Sequence, residues 1–560
     1  MKKFITPLIV LIAALILINY GASIWHDRYD LTQDQRYTIS PVATNLAERI
    51  ESTMLIDVFL EGELPSEFRK LRSETKQLLE EYAAINENVK FNFVNPTEDE
   101  NPENVALITE QLGKFGIKPA MATINQGGKS TQVVVFPWAI MVYQGKTTAI
   151  PLLKTVARAT MEERVNSSIQ QLEYQFADGM SKVINEKTKT IAIFEDSGEL
   201  PDLKIQDFRK TLQQYYKVAP FGFEFIINND SLPKQNVLDR INSFDLIIEP
   251  KPTVAFSDAK NYILDQYLMN GGKMLLAVDP ITMETDSLSN EERKGYALAR
   301  ELNMDQLLFR YGLRLNNGIV KDERAGGLAL ATGQGRNTQY QAFDWPYFPI
   351  SKSESDHPIT KNLEEVKFEY TGTIDTLKNG IHKTILLSTS PDSQIKILPA
   401  SVSLSELDQP IDPLATKAGE QPLAVLAEGN FTSAFKNRIK PFKLPNHIDE
   451  GTHSAIVLIA DGDVMKNQVY AGKAQELGYD MRTGALYGNK EFLMNTVNYL
   501  LDDTGLIQLR SKNITIPFLD AKRSYDERTK WQLINVLLPL IAVGLLGFVF
   551  HYFRKRTYSI

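Results

Sequence analysis

The chain contains no cysteine. Disulfides, thiolate nucleophiles, cysteine-ligated zinc, iron–sulfur clusters and a lipidated N-terminal cysteine are all excluded. Histidine is scarce: His26, His357, His382, His447, His453 and His551 are scattered, two of them beside apolar runs, and no pair has the spacing of metal ligands on one helix. No Gly-x-Ser-x-Gly elbow occurs, so the nucleophile of a serine triad has no recognisable seat. A basic surplus is also missing. Lys and Arg number 61 against 69 Asp and Glu, a net charge of −8, which argues against nucleic acid as a partner. There is no internal repeat or low-complexity tract. What remains is ordinary globular composition, 43% apolar and 23% charged over 560 residues, enough for about two to four folded units.

Two apolar runs stand at the ends. Phe4 to Ile24 follows Lys2 and Lys3, and about 21 residues at 1.5 Å each reach roughly the 30 Å of a bilayer core. It reads as an uncleaved anchor over 1–25, with a cleaved signal peptide as the rival because Gly21, Ala22 and Ser23 are small. Trp531 to Phe553 reads as a second transmembrane helix, with Pro539 tolerated inside it and Asn535, Gly544 and Gly547 as candidate partner-docking positions. Lys2 and Lys3 precede the first span, and Arg554, Lys555 and Arg556 follow the second. The positive-inside rule then puts both termini, including the 554–560 tail, in the cytoplasm and residues 26–530 outside. In a bacterium that means an inner-membrane protein with a periplasmic body.

Between the spans, residues 26–186 read as strand (Leu55–Leu60), helix (Ser66–Ile85), strand (Val89–Val94), helix (Pro102–Lys114), two strands (Gln132–Phe136 and Ile140–Ile150) and a helix carrying Val165, Ile169, Leu172, Phe176, Met180 and Val183. That order is the one found in thioredoxin-like domains. The loop after the first strand reads Glu61, Gly62, Glu63, Leu64, Pro65, so redox catalysis is excluded. Residues 187–505 read as a second α/β domain. Near-continuous apolar strands at Ile191–Phe194, Phe223–Ile227, Phe244–Ile248, Met274–Val278, Thr384–Leu387, Leu423–Ala427 and Ile456–Ala460 alternate with helices, which predicts one doubly wound parallel sheet. An insertion at about 281–380 interrupts it, and 506–530 reads as a linker. In the insertion Trp345, Tyr347 and Phe348 either cover a sheet edge or dock a partner.

Chemistry-bearing patterns are few. Gly127, Gly128, Lys129, Ser130 and Thr131 resemble the end of a phosphate-binding loop, but the earlier glycine is Thr123 and the flanks read as strands, so a hairpin turn is expected. Asp461 and Asp463 flank Gly462 after an apolar strand, and with Glu195 or Asp196 at the same sheet edge they could hold a divalent cation; a polar turn is the alternative. Asp279 ends another strand at that edge, so Glu195, Asp196, Asp279, Asp461 and Asp463 form the candidate ligand or partner loop.

GGKMLLAVDP at 271–280, LLSTSP at 386–391, LAVLAEGNFTSAFKNR at 423–438 and ADGD at 460–463 resemble the auxiliary, substrate-binding-type component of ABC transport systems. Trp345 through Pro349 to Ile359, and Arg36 to Ser40, resemble its gliding-motility-associated GldG-type subgroup of Bacteroidetes. The similarity covers nearly the whole chain. It implies a thioredoxin-like first domain, a glutamine-amidotransferase-like second domain without that fold's catalytic cysteine, and a complex with a membrane permease and a separate cytoplasmic ATPase. No family motif supplies a ligand residue, and no cofactor is expected.

The composite expectation is a non-catalytic envelope subunit, with a small-molecule or carbohydrate receptor second and a hydrolase of unrecognised type third. A periplasm-dependent reporter fused after residue 300 should be active. Activity of a cytoplasm-only reporter there would reverse the topology.

Overall fold

The computed structural model describes residues 11–19 and 38–558, except for short stretches at 99–100, 127–128, 155–158, 223–233, 333–338, 354, 408–416 and 512–520. The chain divides into two compact units, Met1–Lys512 and Asn513–Ile560. In the larger unit α1 (Pro41–Glu48) starts at Ser40, whose hydroxyl accepts from the Ala43 amide at 3.3 Å. Then come β1 (Met54–Val58), α2 (Ser66–Ile85), β2 (Val89–Phe93), α3 (Pro102–Lys114), β3 (Ala120–Gln126), β4 (Lys129–Val135), β5 (Trp138–Tyr143), β6 (Lys146–Pro151) and α4 (Met161–Ile184). The sheet runs β2-β1-β5-β6, with β1 and β2 parallel and β5 antiparallel to both its neighbours. α4 opens with a capping box between Thr160 and Glu163 and buries the stripe from Val165 to Val183. Gly179 lets it lie close to the sheet, since a Cβ there would come within 2.7 Å of Ile150 Cδ1. β3 and β4 pair antiparallel with Gln126 opposite Lys129, so a strand, not the helix of a phosphate-binding loop, begins at Lys129.

The second sheet is built from β7 (Thr190–Phe194), β8 (Lys217–Phe221), β9 (Leu246–Pro250), β10 (Lys273–Ala277), β11 (His382–Ser388), β12 (Pro422–Thr432) and β13 (Glu450–Ile459). Its order is β11-β12-β13-β10-β9-β7-β8. β8, β7, β9, β10 and β13 are parallel, while β12 is antiparallel to β13 and β11 to β12. The uniformly parallel sheet expected from the apolar runs is therefore corrected at one edge. β12 reaches β13 through the irregular segment 433–449 without a crossover helix, and such a return reverses direction. The strand expected at Phe223–Ile227 lies outside the described residues. Helices cover both faces: α5 (Asp202–Tyr215) and α8 (Asn489–Leu501) on one, α6 (Lys234–Ile241) and α7 (Asp258–Met269) on the other. Neighbouring residues face opposite ways, Ile247, Leu276 and Leu458 into one core and Ile248, Leu275 and Val457 into the other. This two-sided burial is why the strands read as unbroken apolar runs.

The 281–380 segment is strand-rich and pairs partly with residues beyond it. Lys294–Ala297 joins Ala400–Ser403, Gly318–Lys321 joins Gln394–Ile397, and Ala325–Thr332 joins Gln339–Ser351, all antiparallel. Trp345, Tyr347 and Phe348 are 0, 0 and 2% exposed and form a core with Ile281, Met283, Ile319 and Tyr370. They offer no free surface to a partner, which corrects the docking role given to them. Proline-punctuated aromatics look alike in sequence whether they line a core or a surface.

In the smaller unit Arg528–Tyr558 is a single helix that passes through Pro539. Among the described residues it is the one helix long and apolar enough to cross a membrane. Of the first apolar run, residues 11–19 are helical and exposed, and the rest lies outside the described residues. Nothing stands within 4 Å of a Cβ added at Gly544 or Gly547. At about 100° per residue, Asn535 points about 180° away from Gly544 and about 120° from Gly547, so the three do not form one docking face.

Trp345→Ala should cost the larger unit about 3–5 kcal/mol, whereas Tyr340→Ala, on the same strand but 62% exposed, should cost under about 1 kcal/mol. Urea unfolding followed by circular dichroism distinguishes them.

Candidate functional site

Open α/β sheets usually bind ligands beyond the carboxyl ends of their parallel strands. Here the ends of β9, β10 and β13 converge on one buried lysine. Lys251 follows β9 in the left-handed region, with φ +58°, and its amide donates to Ala277 O at 2.8 Å. Its Nζ lies 2.6 Å from Glu284 Oε1, 2.7 Å from Asp463 Oδ2 and 3.1 Å from Asp279 Oδ2. Lys466 meets the other Asp463 oxygen at 2.6 Å. Asp461 builds the turn: Oδ1 accepts from the Asp463 amide at 2.7 Å and Oδ2 from the Glu369 amide at 2.6 Å. Gly462 has to be glycine, because a Cβ would stand 2.4 Å from Lys251 Cβ and 2.8 Å from its Cα. The Gly462 amide donates to Asp279 Oδ1.

Burial pushes the Asp279, Asp461 and Asp463 carboxyls up, and the neighbouring charges then separate them. Asp463 ends below its ordinary range because Lys466 and Lys251 flank it. Asp279 is pushed up to about 6 by burial and by the Asp463 charge, which outweigh Lys251 and the Gly462 amide. Burial alone would lower Lys251, but Asp463, Asp279 and Glu284 raise it above its ordinary value. It is thus a fixed ammonium at neutral pH, neither base nor nucleophile.

Of the five predicted residues, the structure brings Asp279, Asp461 and Asp463 together. It does not bring Glu195 or Asp196 to them, which corrects the cation site drawn from those four positions. Asp279, Glu284 and Asp463 do place one oxygen each within 4.8 Å of one another. Lys251 Nζ touches all three, so the cation at their centre is the lysine itself. Glu195 is exposed, and Asp196 belongs to a second cluster at the ends of β7 and β9. There Lys260 of α7, with no exposed surface, donates to Ser197 Oγ at 2.7 Å and lies 3.3 Å from Glu249, 3.6 Å from Asp196 and 3.7 Å from Glu199. Its ammonium sits 3.8 Å from the Phe256 ring centroid. Burial, only partly countered by Lys260 and reinforced by Glu199, keeps Glu249 protonated well above the usual carboxyl range. Sequence reasoning passed over Lys251, Lys260, Glu249, Glu284 and Lys466. A signal existed in Glu249 and Lys251 flanking Pro250, opposite charges closing a strand that is otherwise apolar.

An open cleft lies elsewhere, where the carboxyl ends of α4, α5 and α8 meet Arg49. This cleft, about 490 Å³, is lined by Tyr174, Asp178, Tyr215, Tyr216 and Asn498 among others. Tyr215 donates to Asp178 at 3.0 Å, Lys182 pairs with the same carboxylate at 3.0 Å, and Tyr216 donates to Asn498 at 2.9 Å.

The model of the ABC-type uncharacterized transport system family matches residues 188–496, 309 of the 560, and a domain family of unknown function, DUF7088, matches 33–142. An uncharacterized protein of Borreliella burgdorferi is 22% identical over 557 residues, 97% of this chain and 96% of that one. Among solved structures, the mmIFT52 N-terminal domain aligns at 14% identity over 56% of this chain and 98% of its own, with a TM-score of 0.31. That score carries no conclusion about the fold.

Lys251→Met should destabilise the protein by about 3–5 kcal/mol, because it strands two buried carboxylates. Asp279 binds its proton more tightly folded than unfolded, so its contribution is complete below about pH 4 and is lost as pH rises through about 6. Asp279→Asn should remove that fall, of order 2 kcal/mol. Unfolding midpoints of the two proteins from pH 4 to 7 check it.

Proposed function

The chain belongs to the ABC-type uncharacterized transport system family, and we propose that it is a non-catalytic, membrane-anchored auxiliary subunit of an ABC transporter. The observation that carries this reading is the ion-paired carboxyl edge of the second sheet. At the edge where such folds hold substrates or nucleotides, Lys251, Lys260 and their carboxylates pair with one another. ATP hydrolysis then falls to a separate cytoplasmic ATPase, and a membrane permease is the partner in the bilayer. The exposed apolar helix at 528–556 supports anchoring, and the basic residues after it support a cytoplasmic C-terminus with the body in the periplasm. The β2-β1-β5-β6 order, with β5 antiparallel, supports a thioredoxin-like domain at 26–186 that lacks a cysteine pair. A five-strand parallel core covered on both faces supports an amidotransferase-like domain at 187–505. The stretches that resemble GldG-type proteins extend the proposal to gliding motility.

A second reading, a small-molecule or carbohydrate receptor, is favoured by the 490 Å³ cleft, whose size and three tyrosines suit a small polar ligand. A thermal-shift panel of sugars, peptides and ions on the full chain separates the two, since a receptor is stabilised by its ligand.

Gly544 and Gly547, a step of three apart, are the small-residue face left on the apolar helix. Gly544→Leu with Gly547→Leu should sharply reduce the permease recovered with the detergent-solubilised chain, while Asn535→Leu should not. Undiminished recovery from the double variant would place the assembly surface on the body.

A further inference from the structure

The segment 433–449 between β12 and β13 is tied down at its base by buried hydrogen bonds and exposes an apolar side chain at its tip. At the base, Asp265 of α7 is fully buried and accepts from the Ser433 hydroxyl and the Ala434 amide at 2.7 Å each and from the Tyr311 hydroxyl at 2.8 Å. Gln266 holds the returning limb: its Oε1 accepts from the Ile448 amide at 2.7 Å and its Nε2 donates to Ile448 O at 3.0 Å. The rings of Phe435 and Phe442 pack on Tyr262 at 4.8 and 5.1 Å between centroids. The tip turns at Asn437, with φ +60°, and presents Ile439 at 96% exposure. No other large apolar side chain among the described residues is as exposed, those of the C-terminal apolar helix included.

Charge follows the same segment. In a chain of net charge −8, residues 429–448 contain no acidic residue, while Lys436, Arg438, Lys440 and Lys443 crowd the tip. Lys436 pairs with Glu450, Asp449 lies within electrostatic reach of Lys440, and Arg438 donates to Gln306 at 2.6 Å. A branched aliphatic surrounded by cations and held out on a braced loop matches an anionic bilayer, whose headgroups attract the charges and whose interior accepts the side chain. A protein pocket would need a matching shape, whereas a bilayer needs only this charge and this side chain. A membrane is also the surface this chain meets at highest local concentration if its apolar helix is inserted, so weak docking suffices.

We propose that the 436–443 tip is a second membrane contact, which docks the body on anionic lipid by inserting Ile439 between basic residues. The inference rests on the anchored reading only through that local concentration. The test uses the absence of native cysteine: Ile439→Cys in the full chain gives one labelling position for an environment-sensitive fluorophore, with Glu291→Cys as a control on another exposed loop. The labelled chain is placed in nanodiscs of phosphatidylcholine alone, or of phosphatidylcholine with an equal part of phosphatidylglycerol. The expected result is blue-shifted emission and protection from an aqueous quencher at position 439 only in the anionic discs, reversed by added salt. Each cation near an anionic surface contributes about 1 kcal/mol, about fivefold in the docked-to-free ratio, so Arg438→Glu with Lys440→Glu and Lys443→Glu should abolish protection. Unchanged circular dichroism shows that this variant remains folded. Equal quenching in both discs overturns the proposal. Protection that appears only when co-purified transporter subunits are added also overturns it, in favour of a protein partner. Failure of the chain to enter discs at all would refute anchoring instead.

Discussion

Two lysines with almost no access to water govern the larger unit. A buried ammonium is tolerated only where carboxylates and hydrogen bonds replace its hydration, and removing one member leaves an uncompensated charge. Lys251 therefore draws the turns after β10 and β13 onto the end of β9, and Lys260 draws the loop after β7 onto the same strand. The result is a carboxyl edge whose loops are fixed to one another. Gly462 belongs to that constraint, since any side chain there would displace Lys251.

A third charged group joins the two sheets. Lys154, just after β6, lies 3.1 Å from Glu364 and 3.7 Å from Glu491 of α8. Arg510, 3% exposed, closes the set at 2.5 Å from Glu491 and stacks on Tyr174 of α4 at 5.1 Å. Burial would raise Glu491, but Lys154 and Arg510 hold it below its ordinary range. Ion pairs this dry are weak as a net source of stability and strong as a source of registry, because few arrangements satisfy them. They fix α4 against α8 and so shape the cleft between them. Among the described residues of this body, Ile439 is the most exposed large apolar side chain, followed by Ile397 at 81%.

Much of the fold was legible in the chain. The stripe on α4, the Pro102–Lys114 helix and the strands around residues 191, 246 and 274 all carry period and length strong enough to survive without context. The 281–380 segment was not legible, because its strands are short and pair with partners up to about a hundred residues away, as Lys294–Ala297 does with Ala400–Ser403. Strand direction at β12 was equally hidden, since an apolar strand reads the same in either direction. Of the candidate residues, the aspartates after β10 and β13 were visible as charges ending apolar strands; of their lysine partners, Lys251 left only a charge beside Pro250 and Lys466 left no signal.

Sequence alone determined the absence of thiol chemistry, the apolar length at 531–553, the basic tail after it and the alternation of strands and helices, because each is a property of composition or local period. Tertiary structure alone decided which charges meet. Lys251 and Asp463 lie 212 positions apart, and Lys260 and Ser197 lie 63 apart. It also decided that Trp345 is core. The physical reason is common to these cases: burial and pairing depend on which surfaces the completed sheets bring together, and no local pattern of residues encodes that.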